Sequence, residues 1–175
     1  MNDATLDRLA DELYGALRNQ TTVAPLTERE PDLTLEAAYA VSERLLQRRL
    51  KDGERVVGKK IGVTSKAVQN MLDVHQPDFG YLTDAMVFTN EDPIPLSTTL
   101  IQPRAEGEIA FVLKRDLTGP GVTIAEVLRA TECVMPCFEV VDSRVADWKI
   151  RIQDTVADNA SCGPVSYTHL RAHET

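Results

Sequence analysis

Glu106 and Glu108 stand two residues apart in the stretch Gln102-Pro-Arg-Ala-Glu-Gly-Glu-Ile-Ala-Phe-Val-Leu113, with only Gly107 between them. The apolar run Ile109 to Leu113 predicts a strand, and on a strand residues i and i+2 point to the same side. Two carboxylates spaced roughly 7 Å along one strand face repel unless something positive sits between them. A hard divalent cation meets that need, since Mg²⁺ typically takes one or two carboxylates together with substrate oxygens. A third carboxylate, Glu139, lies inside the otherwise apolar Cys137-Phe-Glu-Val-Val-Asp-Ser-Arg144. A buried glutamate is costly unless paired or metal-bound. Its available partners are Arg144, Lys60, or a cation shared with Glu106 and Glu108.

Two further residues have types that suit acid–base work. Strand alternation over 55–63 puts Gly58, Lys60 and Gly62 on one face, and a lysine between two glycines has open space around its stem. Asp78 follows a proline and precedes an aromatic and a glycine in Gln76-Pro-Asp-Phe-Gly80, a loop that proline stiffens. Taken locally, the plainer readings are favoured for both: a surface lysine beside a bulge, and an aspartate bonding its own backbone.

These residues need elements to hold them. Leu6, Leu9, Ala10, Leu13, Ala16 and Leu17 recur at helical spacing and predict an amphipathic helix over 4–18. A proline-bearing loop follows, then a second helix that opens after Thr34 as N-cap and stops at Gly53. Ser65 caps a short helix through Leu72, and His75 to Gly80 is a loop. Thr98 to Leu113 leads into the Glu-Gly-Glu strand. Asp116 to Gly121 is a turn, and Thr123-Ile-Ala-Glu126 is a capping box opening a helix to about Glu132. Val134 to Val141 is the next strand. Helices first, then mixed strands and helices, indicate an α+β fold.

Composition narrows the function classes. The chain has 175 residues, is 43% hydrophobic and 26% charged, and carries a formal net charge of −8. That suits one globular domain and argues against a nucleic-acid partner. The densest basic run, Arg48, Arg49 and Lys51, is flanked by Glu43 and Asp52 and reads as a solvated helix face. No apolar stretch approaches the ~20 residues of a membrane span, and the acidic N-terminus lacks a signal-peptide core, so the expected location is cytoplasmic. Three cysteines, Cys133, Cys137 and Cys162, are expected as reduced thiols. Cys133 and Cys137 sit among apolar neighbours that favour burial over zinc binding.

Four segments taken together, Gly58-Lys-Lys-Ile-Gly-Val-Thr-Ser65, Gln76-Pro-Asp-Phe-Gly80, Arg104-Ala-Glu-Gly-Glu-Ile-Ala110 and Cys137 to Arg144, resemble the 2-oxopent-4-enoate hydratases. These enzymes, also called 2-hydroxypenta-2,4-dienoate hydratases, belong to the fumarylacetoacetate hydrolase superfamily. The resemblance runs from about residue 4 to Gly163. It implies N-terminal helices followed by a mixed, rolled β-sheet, with a helical part at about 1–53 and a catalytic β-rich part at about 54–163. It implies that Glu106, Glu108 and Glu139 ligate Mg²⁺ or Mn²⁺ and that Lys60 and Asp78 are catalytic residues at the substrate, which reverses the local readings of those two.

The implied reaction is hydration of 2-hydroxypenta-2,4-dienoate to 4-hydroxy-2-oxopentanoate in meta-cleavage degradation of aromatic compounds. The sister activity, 4-oxalocrotonate decarboxylase, shares the metal site and stands as the nearest alternative. A non-catalytic chain that only binds a partner is the other. The resemblance further implies a homo-oligomer and an association with the decarboxylase. After Gly163 the string Pro-Val-Ser-Tyr-Thr-His-Leu-Arg-Ala-His-Glu-Thr reads like a translated sequencing adapter. Residues 164–175 are therefore expected to be a non-native tail and the sheet incomplete at the C-terminus. His169 and His173 in that tail lack the glutamate directly after the first histidine that a catalytic zinc helix uses.

Overall fold

The computed structural model describes residues 1–71, 73–89 and 92–167. The first helix, α1 (Asp3–Asn19), is opened by Asn2, whose side chain accepts from the Thr5 amide at 2.9 Å. It closes at Gln20 in the left-handed region. Leu6, Leu9, Ala10, Leu13 and Ala16 form its buried stripe, the spacing read from the sequence. A single turn, α2 (Leu26–Arg29), follows Pro25. Helix α3 (Leu35–Lys51) begins at Thr34, whose hydroxyl accepts from the Ala37 amide at 3.2 Å. It packs against α1 and against the later α7 (Ile152–Ala157).

The core of this helical lobe holds Leu9, Leu13, Leu26, Val41, Val145 and Val156 at 0% exposure. Each such side chain contributes about 1.5–3 kcal/mol of burial energy. Arg49 departs from the solvated face expected of its run. It is buried, donating to Glu54 at 2.7 Å and to the Thr83 hydroxyl at 2.9 Å. The α3 stripe includes position 49, so the guanidinium is drawn inside and must be paired there.

The β-rich part contains two sheets. β1 (Val56–Gly62) pairs antiparallel with β2 (Asp78–Thr83) as a two-stranded sheet. The loop expected at His75 to Gly80 therefore ends at Pro77, because Asp78, Phe79 and Gly80 pair with Gly62, Ile61 and Lys60. Between the strands lies α4 (Lys66–Met71), with the Ser65 hydroxyl accepting from Val68. The expected end of this helix, Leu72, lies outside the described residues.

The second sheet has the order β3-β6-β5-β4, with β3 (Val87–Thr89) parallel to β6 (Val165–Tyr167) and the other pairs antiparallel. Its mixed character matches the expected α+β class. The turn α5 (Leu96–Thr99) precedes β4 (Pro103–Leu113). After β4, α6 (Ile124–Ala130) opens on the capping box of Thr123 and Glu126, as expected, and ends two residues early, where β5 (Thr131–Asp142) begins. His169 and His173 lie outside the described residues. Cys137 is buried as expected, but Cys133 is exposed, because it lies on a part of β5 that only β4 covers. Among the described residues no helix is long and apolar enough to cross a membrane.

Candidate active site

The register of β4 against β5 decides where the carboxylates lie. Glu106 pairs with Glu139 and Glu108 with Cys137, so all four side chains share one face. Directly opposed residues in an antiparallel pair have Cβ atoms about 5 Å apart. The register is fixed at one end by a polar staple. Asp142 accepts from the amides of Ile101 (3.0 Å) and Gln102 (2.6 Å). The Gln102 side chain donates to the carbonyls of Ser143 and Val145, both at 2.9 Å. A slip of one residue would turn Glu106 and Glu108 to the other face.

Glu139 is 5% exposed, whereas Glu106 and Glu108 are exposed. Lys60 reaches Glu139 from the other sheet, with Nζ 3.2 Å from Oε2. Of the two side chains open to Glu139 from the sequence, the structure places Lys60 against it. Arg144 instead binds Asp158, through its guanidinium and through its backbone amide at 2.9 Å. Burial pushes the Glu139 carboxyl above its ordinary range and Glu106 pushes it further, while Lys60 pulls the other way. Burial pulls the Lys60 ammonium down, but the charges of Glu139 and Asp78 outweigh it and leave Lys60 above its ordinary value.

Asp78 occupies β2 opposite Gly62 and is 5% exposed. Burial raises its carboxyl, opposed by Lys60 and by the backbone amides of Asp78 and Gly62. The pairing with Gly62 is a close approach: a Cβ at position 62 would stand 2.3 Å from Asp78 Oδ1. This explains the glycine that alternates with Lys60 on the strand. Among the described residues, Asp78 Oδ1 and Glu139 Oε1 are the buried side-chain oxygens and nitrogens without a hydrogen-bond partner. Leaving such atoms unpaired is costly, and both flank Lys60.

The arrangement thus joins Lys60, Asp78 and Glu139 and sets Glu106 across from Glu139. It does not draw Glu106, Glu108 and Glu139 into contact: among the described residues no three His, Cys, Asp or Glu side chains are gathered tightly enough to hold a metal. The donor set nonetheless suits a hard divalent cation, being all carboxylate oxygen with one buried oxygen unpartnered. Cys162 lies beside this cluster, and burial pushes its thiol far up, so it stays neutral.

Two residues that support the site carried no usable local signal in the sequence. Asp158 and Asn159 are buried polar residues whose partners, Arg144 and Tyr81, lie far along the chain. Asn159, Ala160 and Ser161 form a turn with φ of 55°, 54° and 50°. Nothing in their local pattern announces three successive left-handed residues, which L-amino acids rarely adopt.

No protein-family model matches the chain. It is 69% identical over 163 residues to the 2-hydroxypent-2,4-dienoate hydratase of Pseudomonas putida, covering 93% of this chain and 73% of that one. The chain belongs to this hydratase family. The 2-hydroxyhexa-2,4-dienoate hydratase of Comamonas testosteroni is 62% identical over 159 residues, 90% of this chain and 60% of the relative. The chain thus spans about three quarters of one hydratase and three fifths of the other. Among solved structures, 4-oxalocrotonate decarboxylase from Pseudomonas putida G7, complexed with magnesium and adipate, superposes with a TM-score of 0.90. It is 32% identical, and the match covers 95% of this chain and 63% of the decarboxylase. The same enzyme complexed with calcium and acetate gives a TM-score of 0.88 at 31% identity. The hydratase family and the decarboxylase therefore share this fold, and the fold class expected from the sequence is the one observed.

Proposed function

We propose that Glu106, Glu108 and Glu139 hold a divalent cation, Mg²⁺ or Mn²⁺, and that the site hydrates 2-hydroxypenta-2,4-dienoate to 4-hydroxy-2-oxopentanoate. The observation that carries this reading is Glu139. It is a buried carboxylate with one oxygen on Lys60, the other unpartnered, and a second carboxylate facing it across the strand pair. The hydratase names of the relatives support the reaction. A solved neighbour complexed with magnesium and adipate supports the cation.

The cation, when bound, supplies Lewis-acid polarisation and a template for a 2-oxo acid. The chain's own side chains do the rest. Lys60, kept charged by Glu139, faces the carboxylate and C2-oxygen side of the substrate and stabilises negative charge there. Asp78, its carboxyl raised by burial, handles protons. It gives one to C5 as the dienol becomes the conjugated enone, and takes one from the water that adds at C4. A proton at C3 completes the addition. The C2 hydroxyl releases its proton as that oxygen becomes the carbonyl, which balances the proton taken up at C3. The net change is one water consumed, with a hydroxyl gained at C4, one hydrogen gained at each of C3 and C5, and the C2 hydroxyl proton lost. Gly62 leaves room for the Asp78 carboxyl on the strand next to Lys60.

Loss of CO₂ from a 2-oxo dioic acid is the second reading, favoured by the solved decarboxylase at a TM-score of 0.90. Parallel assays with 2-hydroxypentadienoate and 2-oxohex-3-enedioate separate the two. A homo-oligomer and an association with such a decarboxylase belong to the same proposal. A chain that only binds that partner would associate with it on size-exclusion chromatography and turn over neither substrate. The decisive variant is Lys60→Met. Turnover is expected to fall by about 10²–10⁴, the usual worth of a positioned proton or charge, while calorimetric Mg²⁺ binding persists. Glu106→Gln should instead raise the Mg²⁺ needed for half-saturation. Turnover of Lys60→Met near that of the parent would sink the assignment, as would an unchanged Mg²⁺ titration for Glu106→Gln.

A further inference from the structure

Lys60 and Glu139 belong to different sheets, so something must hold β1–β2 at a fixed offset from β5. The Asn159 side chain meets β2 in the manner of a neighbouring strand. Its Oδ1 accepts from the Tyr81 amide at 2.8 Å and its Nδ2 donates to the Tyr81 carbonyl at 2.9 Å. Tyr81 pairs with Lys59 on its other side, directly next to Lys60. The Asn159 carbonyl also lies against Gly80, the partner of Lys60, where a Cβ would stand 2.4 Å from that oxygen.

The clasp has a fixed base. Asp158, the preceding residue, accepts from the Arg144 backbone amide at 2.9 Å, and its own carbonyl accepts from the Arg144 guanidinium at 2.6 Å. Arg144 lies just beyond the end of β5, the strand that carries Glu139. The left-handed turn at 159–161 aims the Asn159 amide at β2. Asparagine tolerates that conformation better than most residues. Backbone held in such a sparsely populated region persists only where its surroundings over-determine it.

We propose that Asn159 is a positioning residue, clasping Tyr81 so that Lys60 stays against Glu139. The ring of contacts is closed: β5 to Arg144, Arg144 to Asp158, Asn159 to Tyr81, β2 to β1, and Lys60 back to Glu139 on β5. The Asn159 side chain acts through the Tyr81 backbone that it touches. Its consequence for turnover rests on the assignment of Lys60 to the site. Its geometric claim does not.

Asn159→Gly tests it, because glycine keeps the left-handed turn and removes both side-chain hydrogen bonds. In the 175-residue chain, the rate at which acetic anhydride acylates Lys60, read by mass spectrometry, is expected to rise about fivefold, the worth of one hydrogen bond. Exposed Lys51 and Lys149 serve as unchanged internal controls. With Mg²⁺ and 2-hydroxypentadienoate, kcat is expected to fall about tenfold, with the Mg²⁺ half-saturation unchanged. Should Asn159→Gly fail to fold, Asn159→Asp carries the same test. It keeps the acceptor for the Tyr81 amide and loses the donor to the Tyr81 carbonyl, and the same changes are expected at smaller size. Lys60 acylation equal to that of the parent overturns the proposal, as does a lowered melting temperature with kcat unchanged. Full turnover by Lys60→Met sinks the functional reading instead, and the acylation result then decides the clasp alone.

Discussion

The helical lobe and the β4–β5 ribbon place their residues by different means. In the lobe, α1, α3 and α7 surround an apolar core in which Leu9, Leu13 and Val41 have no exposed surface. In the ribbon, Ile109, Phe111, Val134 and Phe138 remain 51–65% exposed, on the face opposite Glu106, Glu108 and Glu139. The lobe is held by burial. The ribbon is held by its ladder, by the Gln102 and Asp142 staple at one end and by α6 at the other. A carboxylate face can be set by register alone, because backbone hydrogen bonds do not require the side chains to leave water.

That contrast is open to direct attack. Leu9→Ala should cost about 3 kcal/mol of unfolding free energy, the usual size for a fully buried leucine, measured by urea denaturation. A loss below about 1 kcal/mol would show that the lobe core collapses around the gap and is no better packed than the ribbon. The junction between the regions gives a middle effect. Glu54 accepts from Arg49, Thr83 and Arg18. Burial pushes its carboxyl up, but those bonds outweigh it and hold it below its ordinary range.

A depressed folded value means that the unfolded chain binds the proton more readily. The stabilisation is therefore full above the unfolded pKa of about 4.3 and is lost as the pH falls through the folded value. Glu54→Gln should cost about 1–2 kcal/mol at pH 7, and the gap from the parent should narrow in melts taken below about pH 4. A gap independent of pH would remove the charge from that account. The smallest effect is expected on the ribbon. Phe111→Ala should change stability by under about 1 kcal/mol, since the ring is already half in water. A cost equal to that of Leu9→Ala would erase the distinction between the two regions.

How much of this was legible in the sequence follows the same division. Helices α1 and α3 carry their period and caps in adjacent residues, so Leu6 to Ala16 and Thr34 were readable. The capping box at Thr123 and Glu126 is likewise local. The pairing of Glu106 with Glu139 is not, because register between strands 33 residues apart depends on Gln102 reaching Ser143 and Val145. Asp78 read as a loop residue because Pro77 precedes it. Its strand character comes from β1, a partner more than a dozen residues away. Arg49 sat in a basic run whose helical phase, not its charge, decided its burial. Lys60 was placed at the site only through the resemblance of four segments. Its own strand favoured the surface.

The close approach at Gly62 has a consequence for anyone diversifying this site. Every replacement carries a Cβ, and every Cβ begins 2.3 Å from Asp78 Oδ1. A library built at this codon therefore samples no graded series of sizes. Glycine alone leaves the carboxyl at position 78 in place, and each of the others requires it to move. Position 62 behaves as a remote handle on Asp78, so a scan that finds it intolerant has measured the demands of the acid on the neighbouring strand.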